Sequence, residues 1–451
     1  MSERAAIILA AGQGTRMKSS LPKVLHPVGG QAMVDWSIQL AKRVGCERIV
    51  TVVSANSEQL THHVEGALGK GSTAVQDPPL GTGHAVRAAE QALDGFEGDV
   101  IVLYGDTPLI PSTAVEALFQ ALESGTGVGV LGFHVKDPGA YGRLVTGANG
   151  ELEAIVEAKD ASPDELRIDL CNSGVMACRS GRLFRLLSKV TNDNKKGEYY
   201  LTDIVGLARE DGASCKVVTC NEADVMGVNS RVELATAEAA FQARRREELL
   251  ISGVTMTAPE TVFLSHDTII ENDVVIEPNV VFGPGVHVRS GALIRAFSHL
   301  EGSIVDEGAQ IGPYARLRPG ARIGEGARIG NFVEVKKTKV GKGAKANHLA
   351  YLGDGDVGAN ANLGAGTIFC NYDGFFKYQT RIGEGAFVGS NSALVAPVTI
   401  GKGAYVGSGS VVTQDVSDDA LALARGQQVE KAGWASTFRA QMTEKKKTSQ
   451  T

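Results

Sequence analysis

An aliphatic residue returns at every sixth position through much of the stretch from about Val262 to Val412, usually followed by glycine. Two unbroken runs are Val305, Ile311, Leu317, Ile323, Ile329, Val335 and Ile382, Val388, Leu394, Ile400, Val406, Val412. An earlier run, Ile276, Phe282, Val288, Ile294, keeps the step and then slips by one residue before Val305. Such a period suits neither a helix of about 3.6 residues per turn nor a lone alternating strand. It suits a solenoid of short strands, three hexads to a triangular coil, with each aliphatic side chain stacked inside above its counterpart in the coil below. The glycine that follows sits where the chain turns without room for a Cβ.

The pattern resembles the hexapeptide-repeat left-handed parallel β-helix, whose members are often trimeric acyltransferases. On the repeat alone, a purely structural or oligomerising solenoid is the alternative. The period breaks between Leu363 and Ile382, where Phe369-Cys370-Asn371-Tyr372-Asp373-Gly374-Phe375-Phe376-Lys377 is inserted. An interrupted solenoid usually marks a place where function has been added.

At 451 residues the chain is long enough for two or three domains, and the solenoid fills only its C-terminal part. Net charge is 45 − 51 = −6, which implies no broad polyanion-binding surface, and no nucleic-acid partner is expected. The N-terminus is too acidic and its first apolar strand too short for a signal peptide, and no apolar run reaches membrane-spanning length. Six cysteines are scattered without a Cys-x-x-Cys pair. A reducing cytoplasm and no zinc site are the expectations.

Residues 1 to about 228 alternate apolar strands with helical patterns. Ala5–Leu9, Arg48–Val53, Val100–Leu103 and Val128–Phe133 read as strands; Met33–Val44, Gly83–Leu93 and Thr113–Leu122 read as helices. That alternation predicts an α/β, Rossmann-like domain with a mostly parallel sheet and its ligand at the carboxyl ends of the strands. The first strand runs into Leu9-Ala10-Ala11-Gly12-Gln13-Gly14-Thr15-Arg16-Met17, followed by Leu21-Pro22-Lys23. Two glycines alone fit a plain tight turn as well as a phosphate loop. Arg16 and Lys23 tip the reading toward phosphate, because fixed cations offset the charge of a transferring phosphoryl group. Met17 rules out a dinucleotide fingerprint, and no Gly-Lys is followed by Ser or Thr, which rules out a Walker loop. Asp106 ends an apolar strand, where a carboxylate either caps the turn before Pro108 or holds a divalent metal.

The LAAGxGTRM…LPK segment resembles the signature of sugar-1-phosphate nucleotidyltransferases. Later segments resemble the bacterial bifunctional N-acetylglucosamine-1-phosphate uridyltransferase/glucosamine-1-phosphate N-acetyltransferase family. They are Gln76, Gly81-Thr82-Gly83-His84-Ala85, Tyr104-Gly105-Asp106, Tyr141-Gly142-Arg143, Glu157, Asn172-Ser173-Gly174, Glu198-Tyr199-Tyr200-Leu201-Thr202-Asp203 and Gly227-Val228-Asn229. The resemblance implies a Mg²⁺ on Asp106 and Asn229, and UTP as a substrate. Leu9, Ala10, Ala11, Gly12, Lys23, Tyr104 and Gly105 would line the nucleotide site, with Gln76, Gly81 and Thr82 reading the uracil. Gly142, Glu157 and Asn172 would hold the acetamido sugar. The implied reaction is attack by N-acetylglucosamine 1-phosphate on the α-phosphorus of UTP with release of pyrophosphate, charge being offset by Arg16, Lys23 and the metal.

In the solenoid, the step shortens to five between Val335 and Val340, near Lys336-Lys337 and Asn347-His348-Leu349-Ala350-Tyr351. A lone histidine there is either a structural residue or a base. The family's acetyltransferase base lies in a matching His-Leu-x-Tyr-Leu-Gly-Asp segment, which implies His348 as the base. By the same resemblance Arg318, Lys336, Tyr351, Asn362, Asn371 and Lys377 would bind glucosamine 1-phosphate. Acetyl-CoA would run along Ala365, Asn371, Tyr372, Ser390 and Ser408 to Arg425, although Ser408 departs from the Ala common at its position. Asn371–Gly374 also fits a simple turn. The product, UDP-N-acetylglucosamine, would supply peptidoglycan and lipopolysaccharide (lipid A) synthesis, and a homotrimer is implied.

The expected division is a nucleotidyltransferase domain over 1–228, a linker helix over 229–252, a β-helix domain over 253–420 and a C-terminal arm over 421–451. The helix reads from Arg231 to about Ile251, and the last ten residues read as disordered. Two rivals to the bifunctional reading are a nucleotidyltransferase with a scaffolding solenoid and an acetyltransferase with an inert α/β domain. His348, Tyr351 and the Asn371–Lys377 insertion argue against the first; Arg16, Lys23 and Asp106 argue against the second.

Overall fold

The computed structural model describes residues 2–449 and divides into two compact units, Met1–Glu248 with Leu264–His266, and Leu249–Phe263 with Asp267–Thr451. In the first unit the elements are β1 (Arg4–Leu9), α1 (Met33–Arg43), β2 (Arg48–Ser54), α2 (Glu58–Leu68), β3 (Thr73–Gln76), α3 (Thr82–Ala88), β4 (Asp99–Tyr104), α4 (Ser112–Glu123) and β5 (Val128–His134). They continue with β6 (Arg143–Thr146), β7 (Leu152–Val156), β8 (Leu170–Arg179), α5 (Ser180–Leu187), α6 (Ile204–Glu210), β9 (Cys215–Cys220) and α7 (Arg231–Ile251). The sheet runs β9-β5-β8-β4-β1-β2-β3. Only β8 runs against its neighbours along this path, and the β6–β7 hairpin joins it at the side.

The central strands are apolar throughout because both of their faces are covered. Ala5, Ile7 and Leu9 of β1 enter one core cluster, while Ala6 and Ile8 enter the other. In β4, Val100 and Val102 share the first cluster, and Ile101 and Leu103 the second. Burial of this kind fixes the register, so the strand ends, and with them Leu9 and Tyr104, arrive side by side.

Helix α7 is less of a free spacer than its charged sequence suggests. Ala237 and Phe241 are buried against Val28, Met33, Leu109 and Val228, and the Gln242 amide donates to the Leu264 carbonyl at 2.7 Å. The first unit therefore claims the helix as far as Glu248, a few residues short of the boundary expected near Gly253.

The second unit is the parallel β-helix that the six-residue period predicts. One ladder stacks strands that begin at Thr255, Val275, Leu293, Gln310, Arg328, Lys345, Asn362, Phe387, Tyr405 and Leu421, each parallel to the next. The inward residues are the repeat's aliphatics, such as Val335, Leu352 and Val388, all buried. The five-residue step from Val335 to Val340, and a matching one from Leu352 to Val357 in the next coil, are accommodated at corners. From Glu334 to Val340 and from Tyr351 to Val357 the chain runs as continuous strands across a corner, joining two of the faces. The insertion closes as a small loop: Tyr378 N–H donates to Asn371 O, and Asp373 Oδ1 accepts from the N–H groups of Phe375 and Phe376. Where disorder is expected at the C-terminus, an exposed helix α8 (Trp434–Thr448) continues to within a few residues of the end; Gln450 and Thr451 lie outside the described residues. Among the described residues no helix is long and apolar enough to cross a membrane.

Candidate functional site

A cavity of about 530 Å³ opens at the carboxyl ends of β1 and β4, where a parallel sheet presents unpaired backbone to a ligand. It gathers the expected Leu9, Ala10, Ala11, Gly12, Lys23, Gln76, Gly81, Thr82, Tyr104 and Asp106, together with Gln13, Val24, Pro79, Ala85 and Glu198. The loop after β1 folds back over Lys23: Gly14 has φ of 60°, and a Cβ there would sit 2.6 Å from Lys23 Cβ. Glycine is needed at that close approach. Gly81 is a second such place, at φ of 106°, since a Cβ would meet the Tyr199 carbonyl oxygen at 2.6 Å. The Glu198–Tyr200 segment is thereby drawn against the cavity, with Gly83 N–H donating to Tyr199 O and Leu201 N–H to Thr82 Oγ1.

Lys23 Nζ donates to Asp106 Oδ2 and, at 3.0 Å, to Asn229 Oδ1. Three segments far apart in sequence thus focus a cation, a carboxylate and a neutral amide oxygen on one point. Gln76, buried, donates to Gly81 O at 2.9 Å. Gly142, Glu157 and Asn172 also converge: Asn172 N–H donates to Gly142 O, and a Cβ on Gly142 would lie 3.7 Å from both the Asn172 Cβ and a Glu157 carboxylate oxygen. Burial pushes the Glu157 carboxyl above the usual range, and burial does the same to Asp203, helped by Glu157. Gly105 N–H is held by Leu9 O at 2.9 Å. Arg16 is the exception, exposed on the short turn Thr15–Met17 and outside the cavity lining.

In the solenoid the expected residues divide between two faces. His348 ends the strand Lys345–His348, and Asn362 begins the next strand of the same ladder. Arg318, Lys336 and Tyr351 belong to the adjoining face, where Glu334 registers with Tyr351. The corner between them places Leu349 at φ of 52°, and the coil beneath places Phe332 at 56°. Left-handed backbone recurs at this corner in the preceding coils, at Tyr314 and Phe297, and so belongs to the turn of the solenoid itself. On the second face Lys336 lies close enough to Lys377 to hold the latter's ammonium below its usual pKa, with Asp354 and Tyr351 beside it. Two adjacent ammonium groups suit an anionic phosphate. Arg318 is held by Glu334 at 2.8 Å, and Asn371 by Asp354 at 2.6 Å.

Sequence reasoning missed the partners of His348. Its Nδ1 lies 2.6 Å from Asn331 Oδ1, and the two residues are register partners in successive coils. A cavity of about 250 Å³ beside them is lined by His348, Asn331, Asn347, Arg295 and Arg328. The signal was present, for Asn331 lies 17 residues before His348, one coil back. The residues assigned to acetyl-CoA form a column: Ala365 O accepts from Asn391 N–H, Gly409 N–H donates to Ser390 O, and Arg425 donates to Ser408 O at 2.7 Å. Tyr372 is exposed on the inserted loop.

Comparison with known proteins agrees with this division. Residues 6–198 match the MobA-like NTP transferase domain, and residues 302–337 and 379–414 match the bacterial transferase hexapeptide of six repeats. The chain is 64% identical over 444 residues to the bifunctional protein GlmU of Hyphomonas neptunium, covering 98% of this chain and 96% of that one. It is 61% identical to GlmU of Maricaulis maris, covering 99% of each. Against GlmU of Caulobacter vibrioides it is 58% identical, covering 97% of this chain and 95% of that one. The chain belongs to the bifunctional GlmU family. It is a transferase with a nucleotidyltransferase half and a hexapeptide half, as the sequence motifs imply. Both halves of a GlmU protein are present here nearly end to end.

Proposed function

We propose that the chain makes UDP-N-acetylglucosamine in two steps, acetylating glucosamine 1-phosphate on the solenoid and then transferring uridylate to the product in the α/β unit. The observation that carries this reading is that one chain holds both a focused Lys23–Asp106–Asn229 centre at the strand ends and an oriented imidazole at His348.

In acetyl transfer the amine nitrogen of glucosamine 1-phosphate attacks the thioester carbon of acetyl-CoA, the C–S bond breaks and coenzyme A leaves as the thiol. Asn331 Oδ1 accepts from Nδ1–H of the neutral ring. That selects the tautomer whose Nε2 is free to take the proton from the amine. Lys336, Lys377 and Arg318 bind the sugar phosphate, with Tyr351, Asn362 and Asn371 orienting the amine. Acetyl-CoA lies along Ala365, Tyr372, Ser390 and Ser408 with Arg425 on its phosphates.

In uridyl transfer a phosphate oxygen of N-acetylglucosamine 1-phosphate attacks the α-phosphorus of UTP, and the α–β bridging bond breaks to release pyrophosphate. Gln76, Gly81 and Thr82 read the uracil, and Gly142, Glu157 and Asn172 hold the acetamido sugar. Lys23 and Arg16 bind the phosphates and offset their charge. The donor set fits a magnesium ion: Asp106 and Asn229 already direct oxygens at one cation, the Lys23 ammonium. Among the described residues no group of three or more His, Cys, Asp or Glu could hold a metal. Two protein oxygens with the remainder from phosphate and water is the usual magnesium arrangement. Held by Asp106 and Asn229, a magnesium ion would offset negative charge on the phosphates.

A homotrimer in the cytoplasm completes the reading, since His348 and Tyr351 lie on opposite sides of one corner and a neighbouring copy could complete the acetyl-transfer set. Guanidinium titration with parallel mass measurement tests the trimer, and an active monomer would exclude it. The overall reading is tested with purified protein, glucosamine 1-phosphate, acetyl-CoA, UTP and Mg²⁺, following coenzyme A and pyrophosphate separately. Coenzyme A should appear without UTP. Pyrophosphate should require acetyl-CoA or preformed N-acetylglucosamine 1-phosphate. Pyrophosphate without any coenzyme A release would reduce the solenoid to a scaffold.

A further inference from the structure

The amino end of the same sheet carries a cleft that the two transfer reactions leave unused. It has a volume of about 470 Å³ and is lined by Arg179, Arg182, Arg185, Thr126, Asp99 and Glu123, with Leu122 and Gly125. Asp99 begins β4, so the cleft lies roughly 17 Å down that strand from Tyr104 and the nucleotide cavity, at about 3.3 Å per residue. It is therefore a separate place.

Its charges are not balanced among themselves. Arg179 lies 3.8 Å from the buried carboxylate of Asp99, which also accepts from Ser2 Oγ. Arg185 is paired at 3.0 Å with Asp211, which Lys189 also reaches, and Glu123 faces Arg4 at 3.8 Å. Arg182 has no ion-pair partner among the described residues. Its Nη1 packs against Gly127, 2.8 Å from where a Cβ would sit, directly beside Thr126. Thr126 is only 5% exposed, and its hydroxyl has no hydrogen-bond partner. A buried hydroxyl left unpaired is costly, and the half-buried Arg182 guanidinium beside it meets no carboxylate at ion-pair distance among the described residues. A single oxyanion would satisfy both: the fork donates two parallel bonds, and the hydroxyl a third.

We propose that this cleft is a second anion site, taking the phosphoryl group of a small phosphate ester, with Arg182 as the principal ligand and Thr126 as a hydroxyl donor. Arg179 and Arg185 supply the surrounding positive field, and Asp99 and Glu123 limit it, so that a compact, singly phosphorylated ligand fits better than an extended polyanion. The two transfer reactions also bind phosphate groups, so the test must report on this cleft alone.

Hydrogen exchange of the full-length protein does so. Inorganic phosphate is titrated at constant ionic strength, with chloride as the balancing salt, and exchange is followed in peptides covering 119–133 and 179–188. Phosphate should protect these peptides saturably, and protection should persist in Lys23→Ala and Lys336→Ala, which disturb the other phosphate sites. Arg182→Ala should raise the half-saturating concentration roughly tenfold or more, as loss of a charge-assisted pair does. Thr126→Val, which keeps the shape, should weaken binding by a smaller factor and still fold if Arg182→Ala does not. Protection that is absent in the wild type, or unchanged in Thr126→Val and Arg182→Ala alike, would overturn the proposal and leave the cleft a structural cluster.

Discussion

The imidazole Nδ1 of His348 lies 2.6 Å from Asn331 Oδ1, one coil away in the solenoid. The contact is made possible by coil stacking, which sets Asn331 and His348 in register as neighbouring parallel residues. In a neutral ring that donates Nδ1–H to this oxygen, Nε2 is the acceptor.

Three substitutions separate base from orienter. His348→Ala should lower kcat for acetyl transfer by about 10²–10⁴-fold, the usual worth of a general base, with uridyl transfer unchanged. Asn331→Ala should cost less, and mainly in kcat. Asn331→Asp should favour the protonated ring, so the acid limb of the kcat/KM profile for acetyl transfer moves to higher pH. An Asn331→Asp profile identical to wild type would remove the orienting role.

Lys23→Ala should abolish uridyl transfer while acetyl transfer stays near wild type, measured by pyrophosphate and coenzyme A release. Asp106→Ala should push magnesium activation of uridyl transfer to higher concentrations and leave the other activity alone. Equal loss of both activities in either variant would show that the two halves do not work independently.

Glu157 is held with a raised carboxyl pKa by its burial. A raised folded-state pKa means that its contribution to stability is present in full below the unfolded value and is lost as pH rises through the folded one. Glu157→Gln removes that loss. The variant should therefore melt at a higher temperature than wild type near pH 8, with the gap closing near pH 4. Under the proposed sugar-binding role, its KM for N-acetylglucosamine 1-phosphate should rise, because a neutral amide would replace the carboxylate there. A melting difference that does not change with pH would contradict this account.

Phe241 of α7 packs edge-on against Trp36, ring centroids 5.5 Å apart, and is buried with Met33 and Leu109. Phe241→Ala should cost about 3–5 kcal/mol, as large-to-small changes in a closed core do. Thermal unfolding followed by near-ultraviolet circular dichroism, which reports on Trp36, would measure it. A loss below about 1 kcal/mol would mean that α7 is only loosely docked.

The solenoid was legible because its period is a local constraint: each aliphatic residue must face inward, so spacing alone names the core from Ile276 to Val412. The tight loop after β1 was legible for a similar reason, since Gly14 has to yield to Lys23 within one short segment. Matching segments then named most of the candidate residues, from Gln76 to Arg425. What spacing could not give was convergence across the chain. Lys23, Asp106 and Asn229 are brought to one point only by strand register and by the packing of the unit. The pairing of Asn331 with His348, the corner that divides His348 from Tyr351, and the docking of α7 through Phe241 also depend on three-dimensional neighbours. Local sequence sets which residue faces inward; the stacking of coils and the closing of the sheet decide which distant side chains meet.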